Sequence, residues 1–255
     1  MSLTIHPFPA RMAPEIAFEV IQNLKPKSTV IDPMVGSGTS LRIAAANGFK
    51  TFGTDVEPLA LLLTSAWNIQ LRPNTILKSA EILIQKAKQL KVVTLSWIDE
   101  ETKLFIDFWF ADQQKNQLYR LSRCIIAEKD DDLKTLFQIA LSRCIITKDK
   151  GASLARDVSH AKPHRVKLEN DFDVYEGFLN NIQIIIKRLD ASKNKHRIEL
   201  KQGDARALHY EDKSADCIIT SPPYLHAVDY FRGHRLSLVW FGYNLGQLRN
   251  MRLGS

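Results

Sequence analysis

Hydrophobic and polar positions follow two different rhythms along this chain. In the first 70 residues, short apolar runs alternate with segments of helical period. Ile16, Ala17, Val20, Ile21 and Leu24 recur at helical spacing behind Pro14, whose fixed φ suits a first helical turn. Thr29-Val30-Ile31-Asp32 is a compact strand, followed by a helix through Leu41, Ala44 and Ala45 that stops at Gly48. Thr51 to Asp55 is a second strand, and Pro58 opens a helix from Leu59 to about Trp67. This β-α-β-α order predicts the start of a doubly wound parallel sheet, an α/β fold.

From residue 71 to 195 the alternation stops and the helical period takes over. Ile76, Ala80, Leu83, Ala87 and Leu90 mark one helix, and Trp97 to Phe110 another that is rich in aromatics. Leu118, Leu121 and Ile125 mark a third; Leu133, Leu136, Phe137, Ala140, Leu141 and Cys144 a fourth; Phe172, Tyr175, Phe178 and on to Leu189 a fifth. The hexapeptide Leu-Ser-Arg-Cys-Ile-Ile occurs at 121–126 and again at 141–146. Two copies are too few for a solenoid and read as an echo between two packed helices. Lys148 to Lys167 reads as a basic loop. Strand pattern returns at Arg197 to Lys201 and at Cys217 to Ile219, and Val228 to Trp240 is helix-like. The division expected is a discontinuous catalytic domain, 1–70 with 196–255, carrying a helical insertion at 71–195.

Charge sharpens this picture. The chain of 255 residues has a formal net charge of +7, which points to an anionic partner, nucleic acid first, and says nothing of the fold. Residues 143–167 hold 7 basic against 2 acidic side chains, plus His160 and His164. Three cysteines, Cys124, Cys144 and Cys217, have neither metal-ligand nor disulfide spacing and read as buried thiols; no metal is expected. No signal peptide is visible. The longest uncharged apolar stretch, Leu59 to Leu71, is too short to span a bilayer. A reduced, cytoplasmic setting without membrane partners is the expectation.

The chemistry gathers at strand ends. Ser221-Pro222-Pro223-Tyr224 ends the last strand. Each proline fixes its φ, removes a donor and pushes its predecessor toward extended backbone. The resulting stiff turn holds a hydroxyl, bare carbonyls and one aromatic face in fixed directions, suited to gripping a flat ring that bears an amine. A strand-ending turn is the plainer reading. Gly36-Ser37-Gly38 lies between a strand and a helix, where glycines allow close approach and the helix N-terminus offers free N–H groups. No Lys-Ser/Thr follows, so it is not a P-loop; a tight turn is the alternative. Asp55, at the end of the second strand, can accept both ribose hydroxyls of an adenosine, or cap the helix at Pro58. Asp204 can accept from an adenine amine, or serve a turn.

Taken together and in order, these features resemble the S-adenosylmethionine-dependent DNA amino-methyltransferases, specifically the cytosine-N4 kind. In that family Ser-Pro-Pro-Tyr is the catalytic motif, Asp-Pro-x-x-Gly-Ser-Gly-Thr the cofactor loop, and His-Pro-x-Pro-Ala-Arg a leader contacting the cofactor. The resemblance implies a Rossmann-like methyltransferase sheet in the order 3-2-1-4, with helices on both faces. It implies S-adenosyl-L-methionine held by His6, Phe8 and Pro9 of the leader, by Asp32, Pro33, Gly36, Gly38 and Thr39 of the loop, and by Asp55, Val56, Asp204 and Ala205. Ser221, Pro222, Pro223 and Tyr224 would carry catalysis on a flipped base. Double-stranded DNA would be the partner, with Arg156, Lys162, Arg165, Lys167, Arg232 and Arg235 as candidate contacts. A carbon-5 cytosine enzyme is disfavoured, because no Pro-Cys dipeptide occurs. An adenine-N6 DNA methyltransferase, an RNA guanine-amine methyltransferase and a non-catalytic DNA-binding subunit stay open as alternatives. Only 31 residues follow Tyr224, too few for the further strands of the family's sheet. A C-terminal part outside this chain, or a second polypeptide completing the sheet, is therefore expected.

Overall fold

A computed structural model describes the chain except for residues 1–3, 9–11, 92, 148–149, 157, 159–162, 167, 191–195, 223–229 and 254–255; residues 156, 230 and 252–253 are described through their backbone. In chain order the elements are α1 (Pro14–Ile21), β1 (Thr29–Asp32), α2 (Thr39–Ala46), β2 (Lys50–Asp55), α3 (Pro58–Ser65), α4 (Pro73–Gln89), α5 (Glu100–Trp109), α6 (Asp112–Ile126), α7 (Asp131–Ile145), β3 (Ala155–Arg156), β4 (His164–Arg165), α8 (Val174–Asp190), β5 (Ile198–Gln202), β6 (Cys217–Ile218), α9 (Tyr230–Leu238) and α10 (Leu245–Leu253). They form two compact units, one of residues 1–70 and 188–227, the other of 71–187 and 228–253.

The first unit is a four-stranded parallel sheet with helices packed around it. Its strand order is β5-β2-β1-β6. Thr29–Asp32 of β1 pairs with Lys50–Gly53 of β2, and Thr51–Asp55 of β2 with Ile198–Gln202 of β5, both parallel. Val30 and Ile31 are buried, as parallel strands covered on two faces require. Helix α2 packs on β1 and β2, α3 on β2 and β5, and α1 on α2. Proline stands at the start of both α1 and α3, where its missing N–H costs nothing. Helix α1 ends at Ile21, earlier than the hydrophobic spacing through Leu24 predicts. It buries Ala17 and Ile21 and leaves Ile16 and Val20 exposed.

The second unit is helical. Helices α6 and α7, which carry the repeated hexapeptide, pack on each other, with Leu121, Ile125, Leu141 and Ile145 fully buried. The echo is unequal: Cys144 is buried and Cys124 half-buried. Cys217, in the other unit, is half-buried as well, so only one of three thiols is enclosed as expected. Helices α5 and α7 start on Asp99 and Asp130, whose carboxylates accept from Thr102 N–H (2.8 Å) and Leu133 N–H (3.0 Å), the usual satisfaction of orphan donors. Buried Gln114 donates to the carbonyls of Asn170 and Phe172 at 3.1 and 2.8 Å, fixing the approach to α8.

Two expectations need amendment, and one helix was not anticipated. Residues 228–253 group with the helices and not with the sheet, as the 196–255 boundary has it. The cause is Trp240, fully buried and edge-on to Phe110 at 5.3 Å and Tyr119 at 5.2 Å. Trp97 also donates to the Val239 carbonyl at 2.9 Å. The segment 148–167 is more than a loop: β3 and β4 form a short antiparallel hairpin in which Arg156 faces His164. Helix α10 carries a signal that the periodicity misses. Asn244 Oδ1 accepts from Gln247 N–H (2.8 Å) while Gln247 Oε1 accepts from Asn244 N–H (2.9 Å), a reciprocal capping box with Asn as the cap.

Candidate functional site at the strand ends

All four sheet strands are parallel, so the segments following them leave from one edge of the sheet. The glycine loop follows β1. Asp32 is 2% exposed; its carboxylate accepts from the Ser40 hydroxyl of α2 and from Met34 N–H at 3.1 Å. Burial pushes the Asp32 carboxyl above the ordinary range, and the bonds from Ser40 and Met34 oppose that shift. Val35 N–H donates to the Thr54 carbonyl of β2 at 3.1 Å, and Gly38 N–H to the Val35 carbonyl at 2.8 Å. Gly38 has φ +73°, and a Cβ there would lie 2.6 Å from Thr64 Oγ1 of α3. Gly53 is needed for contact and not for φ: its Cβ would lie 2.4 Å from Val35 and 2.5 Å from Leu41. The loop is thus clamped between β2, α2 and α3. Thr39 opens α2, its hydroxyl 3.2 Å from that of Ser37.

Asp55 closes the loop from the neighbouring strand. One carboxylate oxygen accepts from Gly36 N–H and the other from Glu57 N–H, each at 2.9 Å. Burial pushes its carboxyl up to about 6, with Glu57 and Asp32 adding like charge and the two N–H bonds opposing. Beyond β5, Gly203 N–H donates to the Asp55 carbonyl at 3.1 Å. Arg206 then binds both oxygens of Asp204 through Nε at 3.0 Å and holds that carboxyl below the ordinary range. Ala205 stands in the turn between them. The Val56 carbonyl accepts from Gln202 Nε2 at 3.2 Å. Tyr210, bonded to Thr54 at 2.7 Å, returns the segment to β2.

The leader lies over the loop. His6 is buried, and the Phe8 ring stands 3.6 Å from where a Cβ on Gly36 would sit. Thr4, His6, Ser37, Thr39, Arg42 and Trp67 line a small crevice, with the Arg42 guanidinium 5.0 Å from the Trp67 ring centroid. Sequence reasoning missed Ser40, Arg42 and Thr64. The first two were within reach, because they lie on the first helical turn after the glycines. Pro9 lies outside the described residues.

Strand β6 brings the fourth segment to this edge. Val30 pairs with Cys217 and Ile31 with Ile218, and Ile219 N–H donates to the Ile31 carbonyl at 3.0 Å. Asp216 fixes the start of the pairing by accepting from Thr29 N–H at 2.8 Å. Ser221 and Pro222 follow, both exposed. Pro223 and Tyr224 lie outside the described residues. Asp32, the glycine loop, Asp55, Asp204 and Ser221 are thus all placed at the carboxyl ends of adjacent strands.

The basic candidates divide. Arg165 is exposed, its guanidinium 5.1 Å from the Phe108 ring centroid. Arg156 is described through its β3 backbone only, and Lys162 and Lys167 are outside the described residues. Arg232 is exposed on α9, whereas Arg235 is half-buried over Phe105, 5.9 Å from its centroid. Among the described residues no group of His, Cys, Asp and Glu is arranged to hold a metal ion. Among them also, no helix is long and apolar enough to cross a membrane.

Comparison with known proteins gives the strand-end motifs a context. Over 98% of its length this chain is 27% identical to the Type II methyltransferase M.MvaI of Kocuria varians, of which it covers 61%. The chain is similar to Type II methyltransferases. It is 24% identical to M.BsoBI of Geobacillus stearothermophilus over 92% of the chain and 52% of that protein. It is 21% identical to M.MjaII of Methanocaldococcus jannaschii over 98% of the chain and 64% of that protein. The chain therefore spans between about half and two thirds of these relatives' lengths. No family model and no solved structure matches it.

Proposed function

We propose that this protein transfers a methyl group from S-adenosyl-L-methionine to the exocyclic N4 amine of a flipped-out cytosine in a specific duplex DNA sequence, as the modification activity of a restriction-modification pair. The observation that carries this reading is the parallel pairing of β1 with β6. It sends the glycine loop and Ser221-Pro222 out from adjacent strands at one sheet edge, the switch-point geometry at which open α/β sheets bind ligands. Similarity to three Type II methyltransferases supports the reaction class.

The residues present fit the cofactor. A Cβ at Gly36 would lie 3.6 Å from the Phe8 ring, so leader and glycine loop face the same space. Asp55 keeps acceptor capacity beyond its two N–H bonds for a pair of ribose hydroxyls. Asp204, steadied by Arg206, is an acceptor for an adenine amine, with Val56 and Ala205 beside the two acids. Asp32 would act through the loop, since its oxygens are taken up by Ser40 and Met34. When bound, S-adenosylmethionine supplies the methyl group as an electrophilic sulfonium substituent. Ser221 and the Pro222 carbonyl would accept the hydrogens of the target amine and stabilise positive charge developing there, a fixed-dipole effect with the sign of an oxyanion hole reversed. Tyr224 would stack on the flipped base. That returns roughly 1–3 kcal/mol against a flipping cost of a few kcal/mol. The serine before the two prolines is what favours cytosine-N4 over adenine-N6.

The test is mass analysis of nucleosides from duplex DNA incubated with the protein and S-adenosylmethionine. N4-methylcytosine is expected. N6-methyladenine would reassign the base, and a chain that binds no cofactor in titration calorimetry would remove the enzymatic reading.

A further inference from the structure

Helix α5 and the β3–β4 hairpin share an apolar and basic ledge that the proposed reaction leaves unused. Leu104 and Phe108, one helical turn apart on α5, are 65% and 49% exposed. Large apolar side chains left together in water mark a contact surface more often than chance. Phe108 also has two close ring neighbours. Its ring meets Trp109 edge-on at 4.9 Å and 89°, and the Arg165 guanidinium lies over it at 5.1 Å. The hairpin that carries Arg165 is tied to the same helix end: Leu154 N–H donates to the Trp109 carbonyl at 2.8 Å, and Val166 N–H to the Leu154 carbonyl at 3.2 Å.

Charge decides the occupant. The segment 143–167 that supplies the hairpin holds 7 basic and 2 acidic residues. Of the acids on α5, Asp107 is paired with Lys103 and Lys115 at 2.7 and 2.6 Å and Glu101 with Arg249, while Glu100, one turn before Leu104, is exposed. We infer that this ledge is a DNA-contact surface, with Arg165 meeting a backbone phosphate while Phe108 and Leu104 pack on the sugar and base edges beside it. Stacked arginine is pre-organised for a phosphate, and apolar side chains set among cations are a recurrent means of groove contact. The inference rests on the proposed DNA substrate; to Arg165, already a candidate contact from the sequence, it adds Phe108 and Leu104.

The experiment is fluorescence anisotropy of a labelled duplex with the protein over a salt series, using Phe108→Ala, Phe108→Trp, Arg165→Ala and Arg165→Lys. Phe108→Ala should weaken binding by about tenfold with an unchanged salt slope, and Phe108→Trp should restore it. Arg165→Ala should weaken binding and lower the slope by about one ion. Arg165→Lys should keep the slope and still bind less tightly. Near-ultraviolet circular dichroism shows that each variant is folded. Wild-type binding matched by Phe108→Ala overturns the inference and leaves the methyltransferase reading standing. A Phe108-dependent affinity without any methyl transfer does the reverse. A ledge that instead mediates self-association, with Phe108→Ala yielding monomers and unchanged DNA affinity, also overturns it.

Discussion

The sheet unit and the helical unit use the same residue types for different ends. Gly38, at the end of β1, has φ +73° and Thr64 against it; Gly242, after α9, has φ +103° and nothing within 4 Å of the site a Cβ would take. The first glycine serves a shape that surrounding elements dictate, the second only a backbone turn. Buried polar groups divide similarly. Asp32 organises a loop, whereas Gln114 ties one helix to the approach of another. In the sheet unit a local sequence feature and its place at a strand end coincide, so the candidate site residues gather there. In the helical unit polar side chains mostly satisfy backbone.

The sharpest way to break that comparison is a pair of glycine substitutions. Gly38→Ala should cost about 1–3 kcal/mol from left-handed backbone alone, with the Thr64 overlap added, and should abolish cofactor binding. Gly242→Ala should cost only the backbone strain and leave cofactor affinity intact. Thermal unfolding and calorimetric titration of both variants check this. If Gly242→Ala lost cofactor binding equally, the contrast between the units would be wrong. Next in size, Tyr224→Ala should lower duplex affinity by about tenfold or more while cofactor affinity stays at the wild-type value. Equal loss of both would remove the base-stacking role.

How much of this was legible in the sequence depends on range. Thr29 to Asp32, the Gly36-Ser37-Gly38 turn and Asp55 are local signals, because a strand, a tight turn and a terminal acid each occupy a few consecutive residues. Ser40 on Asp32 and Thr64 against Gly38 are contacts made across elements, and no periodicity announces them. The hairpin at 155–165 was hidden because each strand is two residues long, below the length at which alternation is visible. Helix α10 was announced only by Asn244 and Gln247. Arg235 reads as a surface cation until Phe105 is seen beneath it. The placement of 228–253 turns on Trp240, whose aromatic partners lie more than 100 residues earlier.

A smaller effect concerns pH. The Asp55 carboxyl is raised from 3.8 to about 6, chiefly by burial. The folded chain therefore holds a proton that the unfolded chain has lost. Its contribution to stability is fully present below about pH 4 and is lost as pH rises through about 6. Cofactor binding should run the other way, since ribose hydroxyls need the ionised acceptor. Affinity should climb between pH 5 and 7, and Asp55→Asn should flatten the profile. An unchanged profile in that variant would assign the dependence elsewhere, with Asp32 the next group to test.

The smallest effect separates the thiols. Cys144, enclosed by α7 and its neighbours, has its thiol pushed up to about 12 by burial, against a weaker opposing bond from Asn181. The thiolate is the reactive form, so at neutral pH Cys144 is both unreachable and un-ionised. Cys124 and Cys217 are half-exposed and shifted upward as well, again through burial. Mild alkylation of the folded protein, read by peptide mass, should label Cys124 and Cys217 slowly and Cys144 only on unfolding. Because Cys217 lies on β6 beside β1 and Cys124 on α6, their relative rates report on the two units separately. Saturating cofactor should slow labelling at Cys217 and leave Cys124 untouched, because only the first lies on a strand that leads into the proposed site.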